Sequence, residues 1–142
     1  MKALSIRQPW AWLIVRPDLQ GVERTLAFQR GEIKTIENRG WPARYRGPLL
    51  IHAAKGMTRY EYEDVVEFLR LDPGLHAVLH TLPAFEDLQR GGIVGRADLV
   101  DCVTASESRF FFGTFGFVMA NAVPLPFRPL KGALGFFEVP AP

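Results

Sequence analysis

Three stretches in the second half of the chain restrict the fold most. GGIVGRADLVDCVT (91–104), FGFVMANAVPLP (115–126) and LGFFEV (134–139) read as strands, rich in β-branched and aromatic residues and interrupted by glycine. A glycine inside a strand, here near Gly95, marks a kink, and several kinked strands close into a strongly curved sheet or partial barrel. Shorter strands are expected at ALSI (3–6), around 35–39, and at PLLIHAA (48–54). Helical signals are fewer. QPWAWLIV (8–15) reads as two turns, with Pro9 at the first helical position and Pro17 ending it. TRYEYEDVVEFLRLD (58–72) is the clearest helix. Thr58 and Glu61 form a capping-box pattern, and Tyr62, Val65, Val66 and Leu69 make one apolar stripe. Residues 17–30 read as loop with one helical turn, and 75–90 as helical fragments and loop. The expected class is α+β, mostly β: a small barrel plugged or flanked by helices.

A chain of 142 residues suits a single domain over 1–142, and 48% apolar with 23% charged residues is the balance of a folded protein. Cys102 is the single cysteine, so the chain has no internal disulfide, and a reducing, cytoplasmic compartment is the expectation. The histidines at 52, 76 and 80 and Cys102 lack zinc-site spacing. His76 and His80 read as a surface pair, and no metal or cofactor is expected. No apolar run is long enough to span a membrane. The opening MKALSIRQPWAWLIVRPD is basic then apolar, but Pro9–Val15 is short and no small-residue cleavage site follows, so it reads as folded structure.

Charge is unevenly placed. Residues 1–55 hold ten Lys/Arg against four Asp/Glu, whereas 56–142 hold seven against eleven. One reading is an electropositive face that attracts phosphates; the other is two opposite surfaces that offset each other. Thirteen of the seventeen basic residues are arginine, which suits planar, bidentate contacts to phosphates or base edges.

The segment GEIKTIENRGW (31–41) concentrates Lys34, Glu37, Arg39 and Trp41 around apolar Ile33 and Ile36. On a strand Glu37, Arg39 and Trp41 share one face, and Ile36 and Asn38 the other. Lys34 is out of phase and joins the charged face only if the strand begins near Thr35 or a bulge re-aims it. A carboxylate beside Lys34 holds its proton, whereas burial or a neighbouring cation loosens it. The alternative is a strand-end ion pair in water, which contributes only ~0–1 kcal/mol. Trp10 and Trp12, two apart, point to different faces of their helix. Gln8 is placed to read a base edge or to tie down its own helix terminus. His52 shares a strand face with Leu50 and Ala54 and reads as a buried histidine bonded to backbone. Arg44 and Arg46 flank Tyr45 in a turn, a pattern shared by phosphate contacts and solvated turns. RFFFGTFGF (109–117) reads as mostly core with one exposed ring.

Taken together, LSIRQPWA, the order G-x-x-K-x-x-E-x-R (Gly31, Lys34, Glu37, Arg39), W…YRGPLLIHAAK, GGIVGRADLVDCV and GFVMANAVPLPFRPLKGALGFFEV resemble the ASCH domain family over nearly the whole chain. The resemblance implies a PUA-like fold, a small β-barrel with helices around one mouth. It also implies a cleft under the first helix, lined by the lysine, glutamate and arginine positions. Roles proposed for such domains are RNA or nucleotide binding. Some bacterial members are similar small enzymes: an amidohydrolase of acylated cytidine and a reported ribonuclease. Two departures stand out. Relatives pass from the first helix almost directly into the motif, whereas here residues 17–30 intervene as an insertion. The amidohydrolase type carries threonine three positions after the lysine, where this chain has Glu37.

The leading expectation is an RNA- or nucleotide-binding domain. Lys34 and Arg39 contact phosphate or a base carbonyl, Glu37 orients them or accepts from an exocyclic amine, Gln8 and Trp10 complete the wall, and Arg44 and Arg46 add basic contacts. The alternatives are a small hydrolase using Lys34 and Glu37 as an acid–base pair, with His52 as a third group, and a protein-interaction domain using residues 17–30.

Overall fold

The computed structural model describes residues 1–140. β1 (Lys2–Ile6) leads into α1 (Trp10–Val15) and α2 (Gly21–Gln29); β2 (Ile36–Arg39) and β3 (Gly47–Ala53) follow. α3 (Arg59–Leu71) and α4 (His76–Thr81) cross to β4 (Gly92–Val103), β5 (Phe115–Pro129) and β6 (Phe136–Glu138). The strands form one sheet in the order β2-β5-β4-β3-β1-β6, with β1 and β3 parallel and the other pairs antiparallel. The sheet curls into a half-barrel, an α+β fold that is mostly β. Its long β4–β5 ladder shifts register three times, one shift lying between Ile93 and Gly95, where the glycine kink was expected.

Two apolar clusters lie on either side of α1. Leu4, Ile6, Leu49, Ile51, Leu99 and Phe117 fill the concave side of the sheet with Ala11, Ile14 and Val15 of α1. Trp12 and Leu13 of α1 pack instead with Val65 and Leu69 of α3, Leu75, Val78 and Phe110. α3 carries the capping box in full: the Thr58 hydroxyl accepts from Glu61 N–H, and the Glu61 carboxylate accepts from Thr58 N–H. Of the five phenylalanines in 109–117, Phe110 and Phe117 are buried, Phe111 and Phe115 are partly buried, and Phe112 is exposed.

Two expectations need correction. α1 starts one residue later than the proline pattern suggested. Pro9 precedes the helix, and the Gln8 side chain supplies the cap by accepting from Trp12 N–H at 2.8 Å. Residues 17–30 hold a nine-residue helix, α2, in place of loop with a single turn. Apolar periodicity missed it because α2 buries almost no apolar surface: Ala27 is its one buried residue, while Val22, Leu26 and Phe28 face solvent. The helix docks through Arg24, whose guanidinium donates to the carbonyls of Val15, Arg16, Leu19 and Ala122.

Gly31 ends α2 at φ +72°. Its N–H donates to Phe28 O and the Glu32 N–H to Ala27 O, the paired bonds of a Schellman turn. That turn aims the chain from α2 into the Lys34 segment. A side chain at this left-handed position costs about 1–2 kcal/mol. Gly31→Ala is therefore expected to lower stability by that amount in a urea melt. An unchanged midpoint would show that the turn does not hold the segment.

Candidate functional site

Lys34 sits two residues before β2 and escapes the strand's alternation, which is how it reaches the charged face. Its backbone is pinned to α1, Lys34 N–H donating to Leu13 O at 2.9 Å. Its ammonium group donates to Ile36 O and, at 2.8 Å, to Glu37 Oε1. It also lies 5.5 Å from the centre of the Trp10 ring, a cation–π distance. The second carboxylate oxygen, Glu37 Oε2, accepts from Arg39 Nη2 at 3.0 Å. Arg39 Nη2 also donates to Ser5 O at 2.8 Å, so the cluster bridges β2 to β1 across the open side of the half-barrel. One carboxylate thus serves two cations. Asn38, on the opposite face, holds the 110–112 segment: its Nδ2 donates to Phe110 O and its Oδ1 accepts from Phe112 N–H.

Exposure sorts the three groups. The side chains of Lys34, Glu37 and Arg39 are 1%, 11% and 22% exposed, so Arg39 is the member that faces outward. Arg39 Nε, on the inner edge of the guanidinium, is buried with no hydrogen-bond partner. Lys34 is enclosed, and burial pushes its pKa below the ordinary lysine value against the opposing pull of Glu37. The Trp10 ring beside it belongs to an aromatic cluster with Phe68 and Phe112, in edge contacts at 5.5–6.0 Å. Phe112 is 56% exposed and Trp10 partly so.

The remaining expected residues fall elsewhere. Gln8 is buried with both ends of its amide engaged: Oε1 with Trp12 N–H and Nε2 with Gln89 O. It therefore ties down its helix terminus. Arg44 is exposed between β2 and β3. Arg46 donates to Ala43 O and Tyr45 O and lies 3.8 Å from Asp101. No hydrogen bond or ion pair among the described residues joins either arginine to the cluster. His52 is buried, its Nε2 donating to Leu130 O at 2.6 Å and its Nδ1 2.9 Å from Ser5 Oγ. Ser5 lies inside the LSIRQPWA block and Phe112 is the exposed ring of 109–117, but only the fold brings Ser5 O to Arg39 and the Phe112 ring beside Trp10. The basic first third is partly offset by the acidic remainder, through Lys2–Glu138 and Arg7–Glu61.

α2 forms one wall of a groove of about 500 Å³. Phe28, Ile33, Val100 and Val118 supply its apolar lining, and Lys34 and Arg24 also border it. No helix among the described residues is long and apolar enough to cross a membrane.

Comparison with curated proteins gave no match. The family model for the ASCH domain matches residues 30–126, about two thirds of the chain, from the turn at Gly31 through the Lys34–Glu37–Arg39 cluster and most of β5. Motif order, half-barrel topology and family match agree, and the chain belongs to the ASCH domain family.

Proposed function

We propose that the protein binds RNA or a nucleotide at the Lys34–Glu37–Arg39 cluster, with Arg39 as the residue that touches the ligand. The observation carrying this reading is a partly exposed arginine whose Nη2 is held in place by Glu37 and Ser5. Held in that orientation, the exposed part of the guanidinium can donate to a phosphate or base carbonyl oxygen, a charge-assisted hydrogen bond. Trp10 lies beside Lys34 and Phe112 packs edge-on against Trp10, both with accessible ring surface, and a base stacked on such a ring typically gains ~1–3 kcal/mol. Lys34 is too enclosed to reach a ligand from this arrangement; its role is to hold Glu37, which in turn orients Arg39.

Titrating a labelled single-stranded RNA under rising salt tests the proposal. Affinity is expected to fall with salt, as phosphate contacts require. Arg39→Gln is expected to weaken binding about tenfold, the equivalent of one charge-assisted hydrogen bond. Lys34→Ala should weaken it as well, by releasing Glu37. Undetectable or salt-independent binding by the folded protein would overturn the reading.

A hydrolase remains the second reading, favoured by one observation. Burial makes Lys34 easier to deprotonate while a carboxylate sits 2.8 Å away, a pairing suited to proton transfer. Turnover of acylated cytidines or of RNA by pure protein, abolished by Lys34→Ala, would establish it. Binding without turnover would leave the binding domain.

A further inference from the structure

The chain has four lysines. Lys2 pairs with Glu138 and Lys34 with Glu37. Lys55 and Lys131 join no ion pair among the described residues, and both line the same pocket, of about 520 Å³, where β1 and β3 end and β5 runs out. Arg90 lines it too. Its Nη1 donates to Lys55 O and its guanidinium lies 5.6 Å from the Phe85 ring, again with no carboxylate partner among the described residues. The other lining residues are Ser5, His52, Ala54, Gly91, Leu130 and Gly132, with no acidic group among them. Three basic residues therefore line a hollow with no acidic residue in its lining.

Several carbonyls at the rim are already engaged. Lys55 O is taken by Arg90, Leu130 O by His52 Nε2, Gly91 O by Leu130 N–H and Ala53 O by Gly91 N–H. The His52 ring forms the floor. Gly132 lies so close over it that a Cβ there would stand 2.7 Å from His52 Cε1, so the 130–132 segment is seated directly on the ring. A pocket lined by three basic residues and no acidic one, with a volume in the range of small-ligand sites, favours a compact dianion with a small organic group attached.

We propose that this pocket binds a terminal phosphate monoester, with Lys55, Lys131 and Arg90 as its contacts. The Lys34 cluster is a separate site, and the two meet back to back at Ser5: the carbonyl of Ser5 accepts from Arg39 and its hydroxyl bonds to His52. The phosphate pocket stands whether or not the cluster binds RNA.

The test is a titration of the ¹⁵N-labelled protein with inorganic phosphate, then with a nucleoside 5′-monophosphate, then with a short RNA bearing a 5′-phosphate or a 5′-hydroxyl. Saturable shifts at the amides of Lys55, Gly91 and Gly132 are expected with phosphate and the mononucleotide. Lys55→Ala and Lys131→Ala should each weaken binding about tenfold, the loss of one charged contact. Lys131→Glu, which places a carboxylate at the rim, should abolish it. A gain in affinity from the RNA 5′-phosphate assigns the ligand to an RNA end; a response to the mononucleotide alone assigns it to a small molecule. No saturable shift at millimolar phosphate, or shifts unchanged in folded Lys55→Ala/Lys131→Ala protein, would overturn the proposal. Arg39→Gln stays the separate test of the cluster, so the two readings fail independently.

Discussion

Glu37→Ala is expected to lower the stability of the folded protein by about 3–5 kcal/mol, the usual cost of stranding a buried charge. For a chain of this length that corresponds to a fall in melting temperature of roughly 10–20 °C. The carboxylate is the shared counter-ion of Lys34 and Arg39, at 2.8 and 3.0 Å. Arg39 would keep Ser5 O and its partial access to water. Lys34, 1% exposed, would keep only Ile36 O and the face of Trp10. Glu37→Gln, which preserves an acceptor for one of the two, should cost less. The double change Glu37→Ala/Lys34→Met should recover stability relative to Glu37→Ala alone, because it removes the stranded charge together with its partner. Urea denaturation of the four proteins measures this. A loss below about 1 kcal/mol in Glu37→Ala would mean that the three groups behave as a solvated surface pair in solution.

This sensitivity follows from a local accident of register that sequence could only half show. Alternation placed Glu37 and Arg39 on one face, and they lie there. Lys34 required the strand to begin after it, and β2 begins at Ile36. The long strands were legible because their apolar runs and glycine breaks are strong signals, down to the register shift before Gly95. α2 was not, because it attaches through the Arg24 guanidinium and exposes its apolar residues, so the periodicity that marks a docked helix is missing. Gln8 allowed two readings in sequence, and the choice turned on Gln89, eighty-one residues away. The same limit applies to the basic pocket: Lys55, Arg90 and Lys131 come from three separate connections, and only the closure of the sheet brings them to one hollow. A fold of this kind can therefore be recognised from its strands and motif, while its polar sites depend on long-range closure.

Lys34 should also leave a mark on the pH dependence of stability. Burial lowers its pKa in the folded state, Arg39 adds to that, and Glu37 and its hydrogen bond act in the opposite direction, with burial the largest of these effects. In the unfolded chain the lysine has its ordinary value, near 10.5. Between the lowered folded value and the ordinary one, the unfolded state holds more protons than the folded state, so stability rises with pH across that window. Below it Lys34 is charged in both states and its desolvation penalty is felt in full; above it the penalty is gone. Wild type should therefore gain stability relative to Lys34→Met as the pH climbs toward 10.5, with a slope of at most about 1.4 kcal/mol per pH unit for one proton. Taking the difference between the two proteins cancels every other alkaline group, including Tyr62. A flat difference would mean that Glu37 fully offsets the burial, and a falling one that the ion pair holds the proton more tightly than water does. Either result would leave Lys34 a fixed cation in the folded protein and would remove the physical ground for giving it the work of a base.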